Sequence, residues 1–365
     1  MLEGRRGALA IAALSLVPLL PALGQPFTHD DLNSIYQAAV CLRNPAHLAD
    51  PWMGGLWRFV PKLLLVGLLG VAGPVSWVFR LHGYLWHAAS VYLIARAFGR
   101  PAGPWAAALF AAGLGWYAAA VIQVSNVTML TALALLLAAW RAHQLGRNAL
   151  AALSLTLVAL CHEAAWAGVL FLPLARRPRV LAAVLLAFVV ALVVPGWPRT
   201  YAWTEMQYWF FALLPLNALP GAMARAGEIA VAIRPWAGIG ICLGLAALAW
   251  RARGTWALAA AWMVVFTLPF AAAITFWPEV WPAHWLDRRY LYAPAVGVCL
   301  LAATWLTTLG IAWRRWAVVA LIGWSLAWTG LRIWSAGQEA MSPSQVEARA
   351  EWARDMAAVD PRWRR

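Results

Sequence analysis

The residues best suited to chemistry stand in two short runs, Thr28-His29-Asp30-Asp31 and Asp287-Arg288-Arg289-Tyr290-Leu291-Tyr292-Ala293-Pro294. Successive carboxylates on a helix point about 100° apart, so Asp30 and Asp31 do not share a proton as a protease dyad does. Thr28 with Asp31 three residues on has the pattern of a capping box before a helix over 32–42. Asp30 is then left without a structural task. It would act as a general base if a substrate were held beside it, although chemistry alone favours a solvated loop carboxylate. Adjacent carboxylates also suit a hard cation, so a divalent metal at Asp30 and Asp31 is compatible with the run and not required by it.

In the second run, two guanidiniums where a helix begins fit a phosphate, which Arg binds bidentately. The plainer alternative is a set of anchors, since Arg and Tyr snorkel to membrane interfaces. Arg80 and His87 lie in an apolar stretch over 76–95, and a lone intramembrane His most often hydrogen-bonds a neighbouring helix. His162-Glu163 interrupts another apolar region, and Arg58 precedes a third.

A membrane must position these groups. Hydrophobic residues make up 64% of the chain and charged residues 12%, against roughly 45–50% and 25% in soluble domains. Apolar runs such as 8–23, 105–121, 180–194, 256–276 and 296–311 approach the ~20 residues that a helix needs to cross the hydrocarbon core. The net charge is +14, but the arginines come as short pairs between apolar runs, and Lys62 is the sole lysine. That pattern fits cytoplasmic loops under the positive-inside rule and argues against nucleic acid as a partner. Cys41, Cys161, Cys242 and Cys299 form no C-x-x-C pair, so neither zinc nor a disulfide framework is indicated.

Walking the chain from Arg5 and Arg6 gives a cytoplasmic N-terminus, an uncleaved first helix over 7–23 and a first outer loop over 25–75. Helix two (76–95) returns to Arg96 and Arg100, helix three leads out to 123–126, and helix four returns to Arg141 and Arg147. A single crossing after Arg147 would bury Glu163 at the midplane, at about 2.5–3.5 kcal/mol. Two short helices, 148–160 and 164–174, turning at His162-Glu163 avoid that cost. Helix seven (181–194), a second long outer loop (197–234) and four further helices bring the total to about eleven crossings. The 59–73 run is read as a re-entrant or interfacial helix, because a crossing there would reverse every later loop. All acidic residues except Glu3 then fall on the outer side, together with Arg288 and Arg289. That placement, against the bias of the other arginines, favours anion binding over anchoring. The expected fold is all-α and polytopic, a transmembrane domain over 1–334 with a charged tail over 335–365 that forms one helix on the outer, periplasmic side. The 26 tryptophans read first as an interfacial belt and second as sugar-stacking surfaces.

The order of these features resembles the GT-C superfamily of membrane glycosyltransferases, most closely the branch holding protein O-mannosyltransferases and their TPR-bearing relatives. An acidic pair follows helix one. Trp57-Arg58-Phe59-Val60-Pro61 is similar to that branch's Tyr-Arg-Pro segment. His87, within 79–89, stands where the family has a helix-two His. The stretch 157–173 with Glu163 is similar to a leucine-rich segment ending in Lys-Glu, and Arg289-Tyr290-Leu291-Tyr292-Ala293-Pro294 to an Arg-Tyr-Leu-Tyr-Leu-Pro signature. The likeness spans most of 20–300; only the last motif is specific.

The resemblance implies a polyprenyl-phosphate-linked sugar donor held between helices, and transfer with inversion to a glycan, lipid or protein acceptor on the outer side of a bacterial inner membrane. Asp30 would be the base with Asp31 beside it. Arg289, Tyr290, Arg288 and Arg58 would face the donor phosphate, and His29, His87, His162, Glu163 and Asp287 would support them. His162 replaces the family's Lys, Arg288 stands where Glu is usual, with Asp287 one position earlier, and the acidic residue at the outer end of helix three is missing around 118–120. The alternative is a non-catalytic protein of the same fold, a scaffold or a lipid-linked glycan transporter. A transporter predicts repeated halves and charges at midplane depth, and the sequence shows neither.

Overall fold

The computed structural model describes residues 4–28, 30–50, 58–99, 101–113, 121–161, parts of 255–266 and 292–363. The helices expected over 164–174 and 181–194, the 197–234 loop and the tryptophan-rich 277–285 segment lie outside the described residues. Every regular element among the described residues is helical, and none is a strand.

The first half of the chain forms α1 (Arg5–Leu14), α2 (Asp30–Arg43), α3 (Phe59–Ala72), α4 (Ser76–Ala97), α5 (Ala102–Ala112), α6 (Val127–Gln144) and α7 (Asn148–Ala159). Near the C-terminus come α8 (Pro294–Thr308), α9 (Ile311–Ala340) and α10 (Pro343–Val359). Among the described residues, three segments are long and apolar enough to cross a membrane: Arg5–Ala22, Val124–Gln144 and Ile311–Ala340. The 22 residues of α4 give it length for a crossing, about 33 Å, but Arg80, His82 and His87 reduce its hydropathy.

Two elements differ from the sequence expectation, for physical reasons. The first helix does not run unbroken over 7–23. It leaves α-geometry after Leu14 and continues as a 3-10 helix, Val17–Ala22, because Pro18 and Pro21 lack the N–H groups that an α-helix needs. At the other end, α9 does not stop before Ser335 but continues to Ala340. The chain reverses at Met341-Ser342, and α10 starts with Pro343 in its first turn, where proline is well accommodated.

α4 is the centre of the bundle, with α1, α5 and α6 packed around it and α8 beyond α5. Phe110, Leu130, Leu133, Ile94, Ala106 and Leu300 form much of this core, all at or below 2% exposure. Two glycines set close approaches: a Cβ on Gly103 would collide with the Phe98 carbonyl, and one on Gly297 would come within 2.8 Å of the Ala259 carbonyl oxygen.

The ends of α4 differ. At its C-terminal end, Gln144 Nε2 donates to the Ala97 carbonyl at 2.7 Å, which sets the last turns of α4 and α6, with Arg96 and Arg141, side by side. Its N-terminal end lies against the chain following α1 and against α2. The 14-residue α3, about 21 Å long, is too short to cross alone and packs on α2. Along α9, Trp313 and Trp316 near one end and Trp334 near the other are exposed. Trp316 and Trp334 are about 27 Å apart along the axis, close to the thickness of a hydrocarbon core.

Candidate functional site

The site is assembled from helix ends. Asp30 opens α2 and is half-buried, whereas Asp31 is fully buried. Asp31 Oδ1 accepts a hydrogen bond from the Ser125 backbone N–H at 3.0 Å, at the start of α6. Its Oδ2 lies 3.8 Å from Arg80 Nη2. The guanidinium directs its hydrogens mainly at backbone oxygens: Nε to Gln25 at 3.1 Å, Nη2 to Pro26 at 2.7 Å and Nη1 to Ile122. Such carbonyls are free only where helices end, so one arginine ties the chain after α1, the chain before α6 and α4 into a single junction.

Burial dominates the protonation of Asp31 and raises its carboxyl above the ordinary carboxylate range, opposed by Arg80 and by the Ser125 and Thr28 N–H groups. The capping pattern is present in part: the Thr28 N–H bonds the Asp31 carboxylate, and the Asp31 N–H donates to the Thr28 carbonyl at 2.9 Å. A cap alone, however, does not describe Asp31. Its carboxylate is committed to Ser125 and Arg80, two long-range partners that a local spacing rule does not see.

His87 lies two turns further along the same face of α4, about 10 Å from Arg80. Its Nδ1 is 3.0 Å from the Tyr292 hydroxyl, and its ring stacks on Phe110 with centroids 5.6 Å apart. Tyr292 is fully buried. It is the first described residue of the run that begins at Asp287, and Pro294 starts α8 two residues later. α4 therefore brings the acidic pair and the Tyr292 end of the second run to within two helical turns. Arg80 was noted beside His87, and Tyr292 within the second run, but neither was assigned a role at the site. A lone arginine inside an apolar stretch was the available signal for the first, and membership of the specific motif for the second.

The other candidates are placed as follows. Arg58 is half-buried at the N-cap position of α3, where the Val60 N–H donates to the Leu160 carbonyl at 3.2 Å, so it neighbours the C-terminal end of α7. α7 ends at Ala159 and the chain turns at Leu160-Cys161; the expected hairpin turn at His162-Glu163 lies outside the described residues. His29, His162, Glu163, Asp287, Arg288, Arg289 and Tyr290 lie outside the described residues. Among the described residues no three His, Cys, Asp or Glu side chains gather as a metal site, and the charge facing Asp31 is a guanidinium.

The end of the bundle near Asp31 also receives the C-terminus. Phe27 is enclosed between Phe79 of α4 and Trp352 of α10, both edge-on at 5.7 Å. Comparison with known proteins adds no relative: no family model, no curated protein and no solved structure matches the chain.

Proposed function

We propose that the chain is a polytopic membrane glycosyltransferase of GT-C type, with about eleven crossings, that takes a sugar from a polyprenyl-phosphate donor at the Asp31 end of the bundle. The observation that carries this reading is the buried face of α4, which joins the acidic pair to the Tyr292 end of the arginine-tyrosine run. Asp30 is the base because Asp31 is committed to Arg80 and Ser125 while Asp30 retains accessible surface. Arg288, Arg289 and Tyr290 take the donor phosphate, with Arg58 also facing it, and His29, His87, His162, Glu163 and Asp287 support these groups. Under the positive-inside rule, Arg96 and Arg141 assign their end of the bundle to the cytoplasm and the Asp31 end to the periplasm of an inner membrane.

The test uses membranes containing the full chain and polyprenyl-phosphate carriers loaded with labelled sugars. Asp30→Asn, which removes the proton acceptor at nearly constant volume, lowers transfer by about 10²–10⁴-fold at normal protein levels. Transfer unchanged by Asp30→Asn eliminates the proposed base. A wild-type chain that moves no sugar from any carrier points instead to the scaffold or transporter reading.

A further inference from the structure

We infer that the C-terminal helix α10 is the outer wall of the candidate site, and that Trp352 is a positioning residue holding the Asp30-bearing segment through Phe27. The tail is not merely a charged appendage. Gln345, Ala348, Trp352, Met356 and Val359 recur at helical spacing and turn inward, while Glu347, Glu351, Arg354 and Asp355 are exposed. The inward stripe lies on the cluster formed by Phe27, Leu32, Ile35 and Leu69, with Met356 at 1% exposure. Arg43 at the end of α2 donates from Nε to the Val359 carbonyl at 2.7 Å, which fixes the far end of the helix.

Phe27 stands three residues before Asp30, and its segment is held from more than one direction. Arg80 takes the Gln25 and Pro26 carbonyls from the bundle side. Gln25 Nε2 donates to the Ile333 carbonyl of α9 at 3.0 Å. The Phe27 ring itself has Phe79 on the bundle side and Trp352 on the other. From Ile333, α9 continues about 10 Å further before the chain reverses, and that overshoot is what lets α10 return across α2. Segment 25–28 has no helix or sheet ladder of its own, so its conformation depends on these side-chain holds. Trp352 is the hold supplied by the tail.

The inference rests on the proposed role of Asp30 for its consequence in catalysis, so its test has an arm that does not depend on activity. Asp30→Cys is introduced into the full chain in detergent, and its labelling by a hydrophilic maleimide is timed against the parent chain. Adding Trp352→Ala raises the labelling rate about threefold or more, because the segment opens locally more often. Trp352→Phe, which keeps an aromatic edge toward Phe27, restores the slower rate. If the alanine variant accumulates poorly, Trp352→Leu keeps the docking stripe apolar, removes the ring edge and shows the same acceleration. In the transfer assay Trp352→Ala, with Asp30 intact, lowers kcat about tenfold or more at unchanged donor KM, since a misplaced base slows chemistry without loosening the donor. Labelling that is the same with and without Trp352 overturns the inference, whatever the transfer assay shows. A wild-type chain without transfer overturns the enzymatic reading alone.

Discussion

At one end of α4, Arg80 is surrounded by a carboxylate and three backbone carbonyls; two turns away, His87 is met by a tyrosine hydroxyl and a phenyl ring. Both side chains are buried, at 2% and 0% exposure, yet their surroundings are opposite in kind. The difference follows from where helices end. Inside a helix every carbonyl accepts from an N–H four residues on, so mid-bundle only side chains are available as partners, and the uncharged Tyr292 hydroxyl serves. At the N-terminal end of α4 the chain at 25–28 lies outside any helix and the chain before α6 breaks its helix. Those breaks leave carbonyls able to hold a guanidinium, and an N–H able to hold a carboxylate. A buried charge is sustained at the junction by irregular backbone.

The largest expected effect comes from breaking the charged cluster. Arg80→Met leaves Asp31 buried without its counter-charge and strips a donor from three carbonyls at once. Removing one partner of a buried pair costs about 3–5 kcal/mol, read as a large fall in the thermal midpoint of the detergent-solubilised chain. Asp31→Asn added to Arg80→Met restores part of the loss, because the uncompensated charge is gone. A double-mutant cycle over the four chains gives the coupling directly. A midpoint unchanged by Arg80→Met would show that the carbonyls find water and that the junction is not dry.

The same cluster carries a pH signature. The Asp31 carboxyl is raised above its unfolded value by burial, so the folded chain retains that proton where the unfolded chain has released it. Its contribution to stability is therefore complete below the ordinary carboxylate range and is lost as the pH rises through the raised value. Thermal midpoints of the wild type and Asp31→Asn, measured from acid to neutral pH, should diverge in slope over that window, with the wild type falling more steeply. Parallel curves would mean that Arg80 and Ser125 fully offset the burial.

How much of this was legible in the sequence depends on the range of the interaction. The arginine-bounded apolar runs placed α4 at 76–95 against the observed Ser76–Ala97, and a short helix at 148–160 against Asn148–Ala159. Those boundaries are local, set by where polar residues interrupt apolar ones. The break after Leu14 was legible in principle from Pro18 and Pro21, but a hydropathy reading averages over it. The capping pattern at Thr28 and Asp31 was a correct local signal that explained the Thr28 bond to the carboxylate but not Ser125 or Arg80. Arg80 bonds carbonyls 42 to 55 residues away, and α10 returns to α2 from the far end of the chain, so no spacing rule connects them. Asp30 could be separated from Asp31 in advance only by elimination; burial separates them by environment.

The neutral cluster should respond more modestly. Tyr292→Phe deletes the hydroxyl that meets His87 Nδ1 while keeping the ring against Phe110. The cost is about 1–3 kcal/mol, that of leaving a buried polar atom without its partner. The thermal midpoint is the readout, and it should fall less than for Arg80→Met. A fall as large as that of the arginine variant would mean that mid-bundle polarity matters as much as the junction, which would undo the contrast between helix ends and helix middles.

The smallest effect is expected at the opposite end of α4, where an exposed residue makes the same kind of bond. Gln144 Nε2 donates to the Ala97 carbonyl at 2.7 Å, yet Gln144 is exposed, so water can replace the donor once it is removed. Gln144→Ala should then cost at most about 1 kcal/mol, near the net value of an ordinary hydrogen bond. Alanine's better helix propensity at the last residue of α6 offsets part even of that. The ordering Arg80→Met, Tyr292→Phe, Gln144→Ala is the comparison in measurable form, since each removes one side of a polar contact made by a residue of α4 and they differ in whether water or a freed charge takes its place. A Gln144→Ala chain less stable than Tyr292→Phe would mean that the Ala97 carbonyl is sealed from water. The Arg141 end of the bundle would then be as dry as its middle.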